Sequence, residues 1–181
     1  MPIDNIQIQL IDLPPFNEEY VEPAMLDLIR RSDLILLVVD IQAYPIEQIE
    51  EAIAFLEEHR IAPEHQRGQY TPQQRLSFVP LLVLVNKVDN EILDEDFEVL
   101  QELLADTWPM LPISATTGRH FDEFKQDIFE RLEIVRVYSK PPGKEPNMDE
   151  PFVMRKGGTV EEFAGKVHQD FLKNLKAARV W

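Results

Sequence analysis

Unbroken runs of aliphatic residues alternate along this chain with stretches in which apolar residues recur every three or four positions. Two such runs, Asp33–Asp40 (DLILLVVD) and Leu81–Val85 (LLVLV), are typical of strands buried on both faces of a parallel sheet. A shorter strand is predicted at Pro109–Ile113. The N-terminal stretch Ile6–Ile11 alternates apolar and polar residues, which predicts a strand covered on one face only.

Helical spacing fills the intervals between these strands. It predicts one helix that begins at Pro45, a residue favoured at the first helical position, and two more at Phe97–Leu104 and Phe121–Leu132. Alternating strands and helices indicate parallel crossover units and hence an α/β domain. The polar segment Arg60–Phe78 interrupts the alternation, and its prolines and glycine predict a surface insertion.

The pattern changes near Ile134. A strand, a proline-rich loop, a second short strand and a Gly157-Gly158 turn lead to a helix that begins with a capping box, Thr159 to Glu162. This order predicts a second, smaller α+β unit, so that the domains are residues 1–133 and 134–181. Its helix is expected to bury Val160, Phe163 and Val167.

The charged residues are also distributed unevenly between the two predicted domains. Residues 1–133 carry nine Lys and Arg against 27 Asp and Glu, a net charge of −18, whereas residues 134–181 carry nine against six, a net charge of +3. An acidic body disfavours wrapping nucleic acid, and a mildly basic C-terminal unit leaves local RNA contact open. The alternative is that both surfaces are simply solvated.

Composition narrows the class of protein. The 181 residues include no cysteine, which excludes disulfide partners, thiol catalysis and thiolate metal sites. No apolar stretch approaches the roughly 20 residues needed to cross a bilayer. The N-terminus lacks the basic start and long apolar core of a signal peptide. We therefore expect a cytoplasmic protein with no membrane partner.

The strand Leu81–Val85 runs directly into Asn86-Lys87-Val88-Asp89 (NKVD), where strand ends of a parallel sheet usually meet ligands. The Asp89 carboxylate can accept two N–H groups side by side, which guanine offers at N1 and N2 and adenine does not. The Asn86 amide can address the N7 side of the base, and the stem of Lys87 can lie over the ring. The alternative is an ordinary turn with a solvated lysine.

Two more polar groups follow predicted strands. Ser114, Ala115 and Thr116 are small residues whose backbone N–H groups can approach the base oxygen. Asp12 follows the first strand, where a carboxylate can hold magnesium through water. Asp40 also ends a strand, but it has no companion motif and is interpreted as a turn or capping residue.

These motifs occur in the order found in a P-loop GTPase, and the chain resembles the C-terminal two-thirds of an Obg/DRG-type GTPase (developmentally regulated GTP-binding protein). NKVD and SAT resemble the guanine-specificity loops, and DLPP (Asp12–Pro15) resembles the Asp-x-x-Gly switch element. The run from VYSKPPGKEP to ARVW resembles the TGS domain, a ubiquitin-like β-grasp module. The resemblance implies GTP or GDP and magnesium as ligands and a role in translation or on ribosomes.

The chain departs from that family in three ways. It contains no G-x-x-x-x-G-K-[ST] phosphate loop, and Pro15, which has no N–H to offer a γ-phosphate, stands where the switch usually has glycine. The TGS resemblance also stops before the pattern is complete. We therefore expect a family member cut at both ends and unable to hydrolyse GTP alone, with no catalytic residue of its own.

The expected fold is an incomplete P-loop GTPase-type parallel sheet with helices, followed by a partial TGS unit. Ile6–Ile11 is expected either to pair with Leu34–Val39 or to remain loosely attached. The alternative function is a non-catalytic TGS-type module that binds RNA or ribosomes. Its candidate RNA contacts are Arg155, Lys156, Lys173 and Lys176. A third reading, a phosphoacceptor receiver domain, would leave the NKVD–SAT pairing a coincidence.

Overall fold

The computed structural model describes residues 1–3, 5–14, 21–104, 107–140, 143 and 145–180. It divides the chain into a larger unit, Asp12–Arg131, and a smaller unit that joins Met1–Ile11 to Leu132–Trp181. The N-terminal eleven residues thus group with the C-terminal segment, which residue patterns along the chain do not reveal.

A three-stranded parallel sheet is the centre of the larger unit. Its strands are β3 (Ile35–Asp40), β6 (Leu81–Asn86) and β7 (Met110–Pro112), in the order β3-β6-β7. The central strand β6 buries all five of its aliphatic residues, as the uninterrupted apolar run predicts. Its first, third and fifth residues join the main core, while Leu82 and Leu84 lie on the opposite face of the strand and are buried as well.

Four helices accompany this sheet: α1 (Pro23–Arg31), α2 (Pro45–Glu58), α3 (Glu91–Leu104) and α4 (Phe121–Arg131). The three strands of this sheet and helices α2, α3 and α4 are confirmed, including the start of α2 at Pro45, although α3 begins at Glu91 rather than at Phe97. Helix α1 was not predicted. The core residues that the first three helices contribute are Met25, Ile29, Ile49, Ile53, Leu56, Phe97 and Leu100.

The prediction that Arg60–Phe78 is a surface insertion is wrong at both ends of the segment. Residues Ile61–Pro63 form β4 and Ser77–Val79 form β5, and the two strands pair in parallel. Ile61 and Ala62 are almost fully buried. The apolar segments there are only three residues long, too short for a periodicity signal, and only tertiary packing covers them. Two 3-10 helices, Glu64–Gln69 and Pro72–Gln74, connect the strands.

The described residues of the smaller unit form two antiparallel strand pairs and two helices. Strand β8 (Ile134–Val137) pairs with β9 (Phe152–Arg155), and helices α5 (Val160–Val167) and α6 (Gln169–Asn174) follow. The predicted capping box is confirmed, because the Glu162 N–H donates to Thr159 Oγ1 at 3.2 Å and the Thr159 N–H donates to Glu162 Oε2 at 2.8 Å.

The predicted buried stripe of α5 needs correction. Val160 is 40% exposed, whereas Ala164 is buried and Phe163 and Val167 are half-buried. Val160 is the first residue of the helix, directly after the cap at Thr159, so it lies at the edge of the packed face. The buried face therefore begins one turn later than the apolar spacing predicts.

The predicted N-terminal strand is much shorter than Ile6–Ile11. Its strand, β2, covers Ile6–Gln7 and pairs with Pro2–Ile3 (β1) in an antiparallel hairpin, which two hydrogen bonds between Met1 and Ile8 extend. Strand β2 therefore does not pair with β3, which is hydrogen-bonded to β6. Closing a short hairpin costs little chain entropy, so it competes well with a distant pairing.

The hairpin is fixed within the smaller unit. Ile3 and Ile6 are 5% and 3% exposed, and the Asn5 side-chain amide donates to the Met148 carbonyl oxygen at 2.9 Å. Leu10 and Ile11 are about half exposed. Within the described residues, no helix is both long and apolar enough to cross a membrane.

We expect Ile6→Ala to destabilise the smaller unit by about 2 kcal/mol or more, because the change deletes buried methyl and methylene groups. The matched control is Gln7→Ala on the exposed face of the same strand, which should change stability by less than about 0.5 kcal/mol. Amide hydrogen exchange of peptides that cover β8, β9 and α5 measures the effect. Equal protection in the two variants would show that the hairpin does not support this unit.

Candidate guanine-base site

The carboxyl ends of β3, β6 and β7 bring the predicted base-reading residues together. Asp40 and Asn86 are directly paired across the β3–β6 ladder, and Ile113 and Ser114 follow the last residue of β7. Because the three strands are parallel, their polar ends lie along one edge of the sheet. Candidate residues far apart in sequence thus become neighbours.

The NKVD turn is anchored through its one apolar residue. Val88 is fully buried, and its N–H donates to the Ile113 carbonyl oxygen at 3.1 Å, which ties the turn after β6 to the segment after β7. Lys87 has φ of 70°, a left-handed conformation that is uncommon for a residue with a side chain. The turn thus holds a strained backbone angle between two fixed neighbours.

Ser114 orients the Asp89 carboxylate. The buried Ser114 hydroxyl donates to Asp89 Oδ1 at 2.5 Å and accepts the N–H of Thr117 at 3.0 Å. A carboxylate has about four acceptor positions, so this contact leaves most of them available. Asp89 is half-buried, which places its remaining acceptors where a ligand edge can reach them.

Asn86 is oriented in a similar way. Its Oδ1 accepts the N–H of Ala115 at 3.0 Å. Because the backbone N–H is a donor, the side-chain oxygen must face it, which leaves the Asn86 Nδ2 donors directed elsewhere. The N–H of Ala115, one of those expected to approach the base oxygen, is already engaged here. Thr116 is exposed beside it.

Lys87 lies against Asp40, a contact that sequence reasoning missed. Its Nζ donates to Asp40 Oδ2 at 2.5 Å, and Asp40 Oδ1 also accepts the N–H of Gln42 at 2.9 Å. The hydrogen bond from Lys87 is the main cause that lowers the pKa of the Asp40 carboxyl below its ordinary value. Asp40 does brace a turn, as expected, but it has a companion after all. The apolar runs of β3 and β6 both end in a polar residue, and these matching ends are the sequence signal that could have identified the contact.

The predicted magnesium ligand Asp12 does not directly follow a strand, although the sequence predicts that it does. It is exposed and follows coil rather than a strand of the sheet, and Pro15 lies outside the described residues. Among the residues that the structure describes, no three His, Cys, Asp or Glu side chains come together as a metal site. A lone carboxylate fits only an outer-sphere contact with a magnesium ion that phosphates already hold.

A shallow depression of about 400 Å³ adjoins the Asp89 carboxylate. Its lining residues are Asp89, Asn90, Glu91, Ile92 and Arg119. Asn90 caps the following helix, since its Oδ1 accepts the backbone N–H groups of Ile92 and Leu93 at 3.0 and 3.2 Å. The depression gives open access to the Asp89 side of the turn.

The candidate RNA contacts lie on two segments of the smaller unit, and all four side chains are exposed. Arg155 ends β9 and Lys156 begins the turn after it, while Lys173 lies on α6 and Lys176 follows that helix. The backbone N–H of Lys156 donates to the Glu133 carbonyl oxygen. The structure thus presents these cations to solvent at two places along the unit.

Comparison with known proteins places these motifs in context. Residues 135–181 match the TGS domain family. Over 106 residues the chain is 38% identical to an uncharacterized GTP-binding protein of Methanocaldococcus jannaschii, and over 105 residues it is 35% identical to developmentally-regulated G-protein 3 of Arabidopsis thaliana. Each alignment covers 58% of this chain and 27% of the relative. The chain thus spans about a quarter of the length of these curated relatives.

The chain is also similar to the solved structure of a GTP binding protein from Pyrococcus horikoshii. The aligned residues make up 93% of this chain and 81% of that protein, with 16% sequence identity and a TM-score of 0.49. Residues 135–181 thus match the TGS domain, and the chain is similar in sequence to developmentally regulated GTP-binding proteins.

Proposed function

We propose that this chain is part of a GTP-binding protein and that its Asn86–Asp89 and Ile113–Thr116 loops recognise the guanine base. The observation that carries the proposal is the pair of contacts that joins the two loops, Ser114 to Asp89 and Ala115 to Asn86. They orient an acceptor and a donor along the same edge of the sheet. The relatives named as GTP-binding proteins support it.

Recognition follows from the hydrogen-bonding groups of the purine. Guanine offers N1–H and an N2 amino group side by side, which the Asp89 carboxylate can accept together, and its N7 can accept from Asn86 Nδ2. Adenine has an acceptor at N1 and no amino group at C2, so it would leave the carboxylate unpaired. An unpaired charged group costs about 1–3 kcal/mol or more, which corresponds to roughly tenfold to a hundredfold discrimination.

Affinity for the phosphates is expected to be low. The sequence contains no G-x-x-x-x-G-K-[ST] motif, whose backbone N–H groups and lysine hold phosphates in this class of protein. Each charge-assisted hydrogen bond contributes roughly 1.5–3 kcal/mol, so losing several lowers affinity by about four orders of magnitude. We expect at best roughly millimolar binding by this chain, no distinction between GTP and GDP, and no hydrolysis by the chain alone.

GTP hydrolysis, magnesium binding and a role in translation would be properties of the whole protein. There Asp12 would contact the water shell of a phosphate-bound magnesium ion, which neutralises phosphate charge when bound. In this chain the residues of the two loops orient the base and, through the buried Val88 and Ser114, fix both loops to the sheet. Base selection is therefore the part of the function that these residues can perform by themselves.

We expect guanosine to shift the amide NMR signals of the two loops at millimolar concentration, whereas adenosine should bind at least tenfold more weakly. Asp89→Asn should weaken guanosine binding by a similar factor, because the carboxamide replaces one acceptor with a donor. The same change should favour xanthosine, whose O2 accepts where guanine donates.

The matched control is Asp96→Asn, which makes the same chemical change at an exposed position of α3 and should leave binding unchanged. Ser114→Ala should weaken guanosine binding less than Asp89→Asn does, since it removes only the group that orients the carboxylate. Equal binding of guanosine and adenosine by the wild-type chain would contradict base recognition by these loops. Saturation with GDP at micromolar concentration would contradict the low phosphate affinity.

A second candidate function, RNA or ribosome binding through the TGS domain, is favoured by the domain match and by the exposed cations. The C-terminal segment has a net charge of +3 beside an acidic body, so any contact with phosphates concentrates there. This candidate is compatible with base recognition, because it uses a different part of the chain.

We expect any binding of ribosomal RNA to weaken steeply with salt, since each neutralised phosphate releases bound counterions. Lys156→Gln should lower the slope of log affinity against log salt by about 0.7 to 0.9. The control Lys125→Gln, on α4 of the larger unit, should leave the slope unchanged. Fluorescence titrations of labelled RNA at several salt concentrations measure both slopes, and affinity that is independent of salt would exclude the electrostatic contact.

A further inference from the structure

We propose that Asp40 is a positioning residue of the base site: it holds the Lys87 ammonium group across the strand ends, so that the lysine stem forms a preformed surface for the base. This inference rests on the proposed function, because it concerns the same pair of loops. It assigns a role to a residue outside the NKVD and SAT segments. The residue lies on a neighbouring strand, β3, whose end is in register with β6.

The Asp40 carboxylate is itself held in place. The carboxylate Oδ1 accepts the backbone N–H of Gln42 at 2.9 Å. The backbone N–H of Asp40 donates to Gln48 Oε1 at 3.0 Å. Gln48 Nε2 in turn donates to the carbonyl oxygen of Ala43. Gln48 lies on α2, so the helix holds the backbone of Asp40 while the turn at Gln42 holds its carboxylate. The Asp40 side chain is only 24% exposed, which limits competition from water.

Lys87 is fixed at both ends. Its backbone has φ of 70°, and the residue lies between Asn86, the last residue of β6, and the buried Val88. The N–H of Asp89 donates to the Lys87 carbonyl oxygen at 2.9 Å. At the far end, Nζ is 2.5 Å from Asp40 Oδ2. The methylene groups between these two points are therefore confined, although the side chain as a whole remains 51% exposed.

Confinement of the stem matters because a solvated lysine samples many rotamers. Ordering such a side chain on binding costs conformational entropy, and a partner that orders it beforehand removes that cost from the binding step. A partly exposed ion pair contributes little to folding stability, so we expect its main effect to be the placement of the lysine stem. A base stacked on the methylene groups would also leave the ammonium–carboxylate contact undisturbed.

The first measurement follows Lys87 without any nucleoside. Acetylation of the full-length chain with a limiting acylating reagent, read out by mass spectrometry, reports how often each lysine amine leaves its partner. We expect Asp40→Asn to raise the reactivity of Lys87 severalfold relative to Lys125 and Lys173 in the same molecule. Asp96→Asn should change none of the three, and equal Lys87 reactivity in Asp40→Asn and wild type would overturn the pairing.

The second measurement is a double-mutant cycle on guanosine affinity. We expect Asp40→Asn to weaken binding about two- to fivefold, the size typical of an exposed ion pair, and Asp40→Glu to restore part of the loss. In a Lys87→Gln background, Asp40→Asn should have no further effect, because the group that it positions is gone. A role of Asp40 in folding alone would instead add to the effect of Lys87→Gln.

The outcomes separate this inference from the proposed function. If the wild-type chain binds guanosine in an Asp89-dependent way but Asp40→Asn binds equally well, only the positioning role fails. If the wild-type chain binds no guanosine, both proposals fail. Urea unfolding of each variant shows whether the compared chains are folded under the conditions of both measurements.

Discussion

Hydrogen bonding of the buried strand Leu81–Asn86 between two parallel neighbours is the constraint on which the larger unit depends. Its five aliphatic residues are buried, so water cannot satisfy its backbone groups, and β3 and β7 must do so. That pairing fixes where all three strands stop. The polar residues that follow the strands consequently lie along one edge of the sheet.

The loops at that edge then bind each other. Ser114 and Val88 are buried, and each makes a hydrogen bond to the neighbouring loop, so the edge is held by groups that also contribute to the core. Asp89 and Asn86 each use one oxygen for this cross-connection and keep other polar atoms for a ligand. Structural support and the proposed base recognition thus use different atoms of the same side chains.

The two units differ in how they are built. The larger unit follows a regular strand–helix order, whereas the smaller one combines the first eleven residues with the last fifty. Its hairpin buries Ile3 and Ile6 and bonds through Asn5 to the Met148 carbonyl oxygen. Long-range contacts of this kind join segments that have no strong local sequence pattern. Their pairing is therefore decided by the apolar surface that each segment covers.

The sequence by itself determined the elements with strong local signals: the buried strands, the helices after Pro45 and Phe121, the capping box at Thr159 and the polar motif after Leu81–Val85. Spacing, caps and apolar runs act over a few residues, so they can be read without the fold. Only the tertiary structure decided the burial of Ile61–Pro63, the N-terminal hairpin and the contact between Asp40 and Lys87. Each of these depends on segments distant in the chain, and their proximity follows from sheet register and core packing, which no local pattern encodes.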